Sequence, residues 1–204
     1  MIVGKIDNKE TLVNMKSEII LIGPRGAGKT TIAELLYLRT FLPHCSMDLL
    51  RWNYYEEIGY DRSLAREKIT EGGFWALYRY WKPFEAYAVK RLFEDYRECV
   101  FDLGASHSVY EDPALFEQVR GVLAPYPHVI LLVPSPDLDE SVQILDARNT
   151  YDTEAQREVS EHLVRHHSNY DLAKHTVYTK DKTPEETCDE VIRWVRSNGW
   201  IYEP

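Results

Sequence analysis

Cysteine is scarce in this chain: Cys45, Cys99 and Cys188 stand far apart, with no Cys-x-x-Cys spacing. A disulfide framework and a zinc knuckle are therefore excluded, and a reducing compartment is the natural setting. Basic charge is also in deficit, with 24 Lys and Arg against 33 Asp and Glu and a formal net charge of -9. A nucleic-acid backbone or an anionic membrane surface finds no clustered basic face to bind. No apolar run is long enough to span a bilayer, and residues 1–16, which carry Lys5, Asp7, Lys9 and Glu10, hold no apolar core of the kind a secretory leader needs. The expectation is a soluble cytoplasmic protein with a small-molecule partner and neither a nucleic-acid nor a membrane partner. Repeats and low-complexity tracts are absent, and 204 residues suit one α/β domain with a small insertion rather than two independent domains.

Against these absences stands one dense motif. The apolar run Ile19-Ile20-Leu21-Ile22 leads into Gly23-Pro24-Arg25-Gly26-Ala27-Gly28-Lys29-Thr30-Thr31, a Gly-x-x-x-x-Gly-Lys-Thr loop, and then into an amphipathic stretch over residues 32–41. Glycines let the backbone turn tightly and aim successive N–H groups inward, where the positive end of the next helix reinforces them. Residues 23–31 thus form a phosphate cradle. Lys29 is expected to reach the β- and γ-phosphates of ATP, and the Thr30 hydroxyl to ligate magnesium. Thr31 caps or packs. The strand-loop-helix context separates this loop from an ordinary glycine-rich turn.

The remaining chain alternates strands and helices. A hairpin-like turn is expected within residues 1–16, a strand at 18–22, a helix at 29–40 closed by Pro43, and a short strand at 44–48 ending on Asp48 at a sheet edge. Residues 49–97 read as a helical insertion, with Asp61 as an N-cap, a break at Gly72-Gly73 and an interruption at Pro83. Its aromatics, Phe74, Trp75, Tyr78, Tyr80, Trp81, Phe84 and Tyr87, are too dense for one stripe: most pack and a minority line a substrate pocket. A third strand runs to Asp102, followed by the flexible Gly104-Ala105-Ser106, and ligands in open α/β sheets gather at such ends. Asp102 either holds magnesium through water or caps the turn. A helix from Pro113 to Leu123, a buried strand at 129–133, a helix to Ala147, a helix at 153–167, a strand at 176–179 and a helix opened by Thr183-Pro184-Glu185-Glu186 complete the series. Five strands alternating with helices define a three-layer α/β/α sandwich on a parallel sheet, with a lid region at 137–168.

Over residues 17–197 the motif and element order resemble the shikimate-kinase branch of the P-loop small-molecule kinases, within the wider nucleoside monophosphate kinase fold. The resemblance implies ATP- and magnesium-dependent phosphoryl transfer to a hydroxyl or phosphate of a small metabolite. Where that family ends strand two on Asp-x-Asp, Ser46-Met47-Asp48 keeps the second carboxylate, the one that touches the acceptor hydroxyl; Asp48 would orient or deprotonate it. The family's Phe-Arg-x-x-Glu looks like Trp81-Lys82-Pro83-Phe84-Glu85, with Lys82 in the place of a substrate-binding arginine. Its Gly-Gly-Gly is similar to Gly104-Ala105-Ser106, and its Arg-x-Pro-Leu-Tyr to His166-His167-Ser168-Asn169-Tyr170, with His166 in the place of the second arginine. Arginine holds a carboxylate by a planar two-pronged contact that lysine and histidine do not reproduce, so shikimate itself is not the expected acceptor. From the lid, Arg148 would cover the transferring phosphate, with Arg157 as second choice and a solvated surface charge as the alternative for each. The altered substrate half leaves open a nucleotide-binding switch or slow ATPase whose substrate face holds a partner protein, and a relative that binds nucleotide structurally. His162, His166 and His167 include an i, i+4 pair that could start a metal site, with no carboxylate or cysteine partner evident.

Overall fold

Ile19–Ile22 (β1) has no polar side chain and is buried throughout, which requires cover on both faces. In the computed structural model, which describes residues 18–200, β1 is the centre of a five-stranded sheet. The other strands are His44–Ser46 (β2), Val100–Asp102 (β3), Val129–Val133 (β4) and His175–Tyr178 (β5), in the spatial order β2-β3-β1-β4-β5. Every pairing is parallel, so the connections cross over through helices. In chain order these are Lys29–Thr40 (α1), Met47–Glu57 (α2), Arg62–Asp95 (α3), Pro113–Leu123 (α4), Leu138–Arg148 (α5), Glu154–Arg165 (α6), His167–Leu172 (α7) and Pro184–Ser197 (α8). The turn expected within residues 1–16 lies outside the described residues. No helix among the described residues is long and apolar enough to cross a membrane.

Side chains alternate across a strand, and the sheet accordingly divides two cores. Ile20, Ile22, Phe101, Leu131 and Val133 face Val89, Leu92 and Phe93 of α3 and Val119 and Leu123 of α4. Ile19, Leu21, Val100, Ile130 and Leu132 face Ile32, Ala33 and Leu36 of α1 and Cys188, Val191 and Val195 of α8. Helix starts follow the local chemistry. Asp61, Asp112 and Asp137 each accept two backbone N–H bonds in the first turn that follows, and Thr183 with Glu186 forms a reciprocal capping box.

The structure departs from the expected elements at three points. β2 stops at Ser46 and the chain enters α2 at once, so Asp48 stands in a first helical turn, where the positive helix end favours a carboxylate, rather than at a strand end. The break expected at Gly72-Gly73 is present at Gly73 (φ 66, ψ -164), but α3 runs on through Pro83, where an interruption was expected. Pro83 and Arg79 both lie on the exposed side, where solvent can satisfy the Arg79 carbonyl that the missing N–H leaves free. The helix expected over 153–167 ends at Arg165, because His166 is extended (φ -68, ψ 133) and its Nδ1 accepts the Ser168 N–H at 3.2 Å, capping α7.

Candidate functional site

The carboxyl ends of β1 and β3 lie side by side, with Leu21 opposite Asp102. The chain leaves β1 at Gly23, whose φ is 134 and where an added Cβ would sit 2.3 Å from the Leu132 carbonyl oxygen; only glycine passes there. α1 then begins at Lys29 with no side chain capping its first N–H groups. Those groups border a cleft of about 820 Å³ that is also lined by Lys29, Thr30, Asp48, Trp81, Ser106 and Arg148. An uncapped helix start beside an open cleft is the arrangement that receives phosphate. Lys29 is buried and donates to the Gly23 and Pro24 carbonyls at 2.9 and 3.1 Å, bracing the loop. Burial pulls its pKa down against the opposing charges of Asp102 and Asp48.

Thr30 Oγ1 donates to Asp102 Oδ2 at 2.6 Å, joining the start of α1 to the end of β3. His44 Nε2 lies 3.7 Å from the same oxygen. Burial would raise the Asp102 carboxyl, but His44, Lys29 and Thr30 outweigh it and hold it below the usual range. Hydroxyl and ionised carboxylate together form a hard oxygen donor set of the kind magnesium takes.

Asp48 and Arg51 also line this cleft, with Asp48 Oδ1 3.5 Å from Arg51 Nη1 on the next turn of α2. Gly104 lets this carboxylate come close: a Cβ there would lie 2.8 Å from Asp48 Oδ1 and 2.6 Å from His107 Nδ1. Ala105 and Ser106 line the cleft, and Ser106 Oγ donates to Glu85 Oε1 at 2.5 Å. Lys82 is corrected as a substrate ligand. Its ammonium donates to Glu85 Oε2, the Ser106 carbonyl and the Val109 carbonyl at 2.5, 2.9 and 3.0 Å, and three N–H bonds exhaust it. It ties α3 to the loop after β3. Burial would raise the Glu85 carboxyl, yet Lys82, His107 and Ser106 keep it below the ordinary range. His166 is corrected likewise, since its ring caps α7, stacks on His167 at 4.5 Å and takes no part in lining the cleft.

The lid region rests on the loop. Arg148 Nη1 donates to the Gly26 carbonyl at 3.3 Å and Asn149 Nδ2 to the Arg25 carbonyl at 3.1 Å. Arg157 is not at the cleft: its partners are Glu154 at 2.6 Å, Asp146 at 3.4 Å and Glu161 at 3.6 Å. On the other side of Arg148 a smaller cavity of about 220 Å³ is bounded by Ala27, Gly28, Thr179 and Pro184. Thr179 Oγ1 is buried there without a hydrogen-bond partner. Of the aromatics, Trp81 lines the cleft, while Phe84 packs against Tyr55, Tyr60 and Tyr80 at ring distances of 5.7, 5.3 and 5.2 Å.

The histidine group gains a carboxylate from elsewhere in the chain. Glu111 Oε1 meets His162 Nε2 at 2.5 Å and accepts the Tyr78 hydroxyl at 2.7 Å. Burial opposes ionisation of Glu111, but these two bonds bring its pKa to about 2. Ligand atoms of Glu111, His162 and His166 lie within 4.8 Å of one another. The His166 Nδ1 lone pair is already engaged with Ser168, however, which leaves the proton on Nε2, and His167 pairs with Asp171 at 2.7 Å. The cluster is a hydrogen-bonded post between α6 and the start of α4. Arg51, His107 and Thr179 escaped sequence reasoning. Arg51 follows Asp48 by three residues, a spacing that is a signal once α2 is known to begin at Met47.

Solved structures share this architecture. The chain is similar to shikimate kinase from Acinetobacter baumannii in complex with shikimate, with a TM-score of 0.63 and 18% identity over 92% of this chain and 97% of that one. It is also similar to shikimate kinase from Aquifex aeolicus, with a TM-score of 0.58 and 19% identity over 89% and 97% of the two chains. The YorR protein of Bacillus subtilis, in complex with phosphorylated GDP, gives a TM-score of 0.52 and 16% identity over 91% and 99%. No protein-family model matches the chain, and no curated protein matches it. The fold is that of the P-loop kinases.

Proposed function

We propose that this chain is an ATP- and magnesium-dependent small-molecule kinase, acting on a hydroxyl of a small metabolite other than shikimate. The observation that carries the reading is the 2.6 Å bond from Thr30 to Asp102 at the mouth of the phosphate loop, with Asp48 opening onto the same cleft. The residues fit the two groups implied. An uncapped α1 start and Lys29 suit the triphosphate, Thr30 with Asp102 suits magnesium, and the orphaned Thr179 hydroxyl in the cavity past Arg148 suits a nucleotide base. Bound magnesium would supply charge neutralisation across the β- and γ-phosphates. The chain's own part is alignment. Lys29 and the loop N–H groups hold the donor, Asp48 orients the acceptor hydroxyl and takes its proton, and Arg148 lies where it can meet charge on the moving phosphoryl group. Ser106, fixed by Glu85, shapes the acceptor wall. Asp48 on the wall of a cleft of this size favours transfer to a metabolite over a nucleotide-operated switch, which needs room beside the phosphate loop for only a water. With Cys45, Cys99 and Cys188 all free thiols, a reducing cytoplasm suits the reading.

The test pairs nucleotide binding with transfer. Wild type is screened for magnesium-dependent ATP consumption against hydroxylated metabolites, and Asp48→Asn is expected to abolish transfer while a non-hydrolysable ATP analogue binds unchanged. Full transfer by Asp48→Asn, or no magnesium-dependent nucleotide binding by wild type, overturns the reading.

A further inference from the structure

The geometry points to Arg51 as the residue that grips an anionic group on the phosphoryl acceptor, a carboxylate or a phosphate, placed a few bonds from the hydroxyl that Asp48 aligns. This rests on the kinase reading above and adds to it a substrate class. Arg51 is not one of the positions that the family resemblance carries over.

Asp48 and Arg51 stand one turn apart on α2 and both line the cleft. Their 3.5 Å separation is an ion-pair distance and a poor hydrogen bond. The Arg51 guanidinium lies 4.8 Å from the Trp52 ring centroid, and its Nε is buried without a hydrogen-bond partner. A buried N–H left unpaired is costly. A planar guanidinium lining a cleft is the shape that accepts a carboxylate or phosphate in two parallel bonds.

The surroundings leave that role to Arg51. Lys82, Glu85 and Ser106 satisfy one another, so the wall opposite α2 presents no free cation. Arg25 and Lys29 also line the cleft but belong to the phosphate loop, and Arg148 is bonded to that loop at Gly26. A second orphaned atom, His107 Nδ1, lies beside Gly104 and Asp48. His107 Nε2 meets the Tyr55 hydroxyl at 3.2 Å, and assigning that hydroxyl as the donor puts the imidazole proton on Nδ1. Two unpaired N–H donors then flank one carboxylate. Asp48 Oδ1 and Arg51 Nη1 lie 3.5 Å apart, so the acceptor's hydroxyl and its acidic group must lie within a few bonds of each other. A short hydroxy acid or a short phosphate ester of a polyol meets this condition; a neutral alcohol does not.

Isothermal titration calorimetry with magnesium and a saturating non-hydrolysable ATP analogue fills the phosphate loop and isolates the acceptor space. L-lactate, inorganic phosphate and 1,2-propanediol are the probes. Wild type is expected to bind one or both anions and not the diol, with tighter lactate marking a carboxylate acceptor and tighter phosphate a phosphorylated one. Arg51→Ala should weaken anion binding by at least about tenfold, and Arg51→Lys should restore part of it for phosphate. Analogue binding by each variant is the control for folding. Failure of wild type to bind either anion while it binds the analogue, equal binding of the diol, or undiminished binding by Arg51→Ala overturns the assignment. Failure of wild type to bind the analogue instead overturns the kinase reading and this assignment with it.

Discussion

Lys82 offers the sharpest discrimination between a substrate ligand and a structural tie. It is 5% exposed and its partner Glu85 is 0% exposed, with 2.5 Å between Nζ and Oε2. Lys82→Met removes the counter-charge from a carboxylate that keeps the Ser106 hydroxyl, and it strips a donor from the Ser106 and Val109 carbonyls. Removing one member of a buried pair costs about 3–5 kcal/mol, because the remaining charge is left uncompensated. In a domain of this length each kcal/mol moves Tm by about 2–4 °C, so a fall of about 6–20 °C is expected in a calorimetric or circular-dichroism melt. The double variant Lys82→Met, Glu85→Leu should recover more than half of the loss, since no lone charge remains. A substrate ligand would behave differently, keeping Tm and losing acceptor affinity. A fall of less than about 3 °C in the single variant, or a double variant less stable than the single, would refute the reasoning.

Three further outcomes follow from particular contacts. Burial lowers the His107 pKa from 6.5 to about 4; the unfolded chain therefore takes up a proton below pH 6.5 that the folded chain refuses. The stability held above pH 6.5 declines as pH falls toward 4, by up to about 3 kcal/mol, and urea unfolding across this window should show a flatter slope in His107→Gln. Thr179→Val deletes the orphaned hydroxyl and should leave Tm level or raised while weakening ATP-analogue binding by roughly five- to tenfold; unchanged affinity would remove Thr179 from the nucleotide site. Gly104→Ala forces a methyl to within 2.6 Å of His107 Nδ1 and 2.8 Å of Asp48 Oδ1, so a loss of about 1–3 kcal/mol in urea unfolding is expected, together with slower transfer in the ATP-consumption assay.

Local chemistry was legible in the chain alone. Glycine conformations, the run before Gly23 and the Lys29-Thr30 pair specify a phosphate loop at a helix start, because every part of that device lies within thirteen consecutive residues, 19–31. Capping at Asp61 and Thr183 was readable for the same reason: the partners are a few residues away. What pairs across long stretches was decided by tertiary structure. Thr30 reaches Asp102 across 72 positions and Glu111 reaches His162 across 51, so no spacing rule exposes either. Pro83 read as a break because proline removes a donor, but the exposure of that helix face makes the loss tolerable. Position within a motif suggested a substrate role for Lys82, and only the folded chain brings two carbonyls and a carboxylate to exhaust its three protons. Arg51 is the converse case: an ordinary helix residue by sequence, it lines the cleft beside Asp48 with its Nε left unpartnered. The phosphate loop of this protein is written in contiguous residues, whereas the rest of the cleft exists only after distant groups have used up one another's hydrogen bonds and left a few without partners.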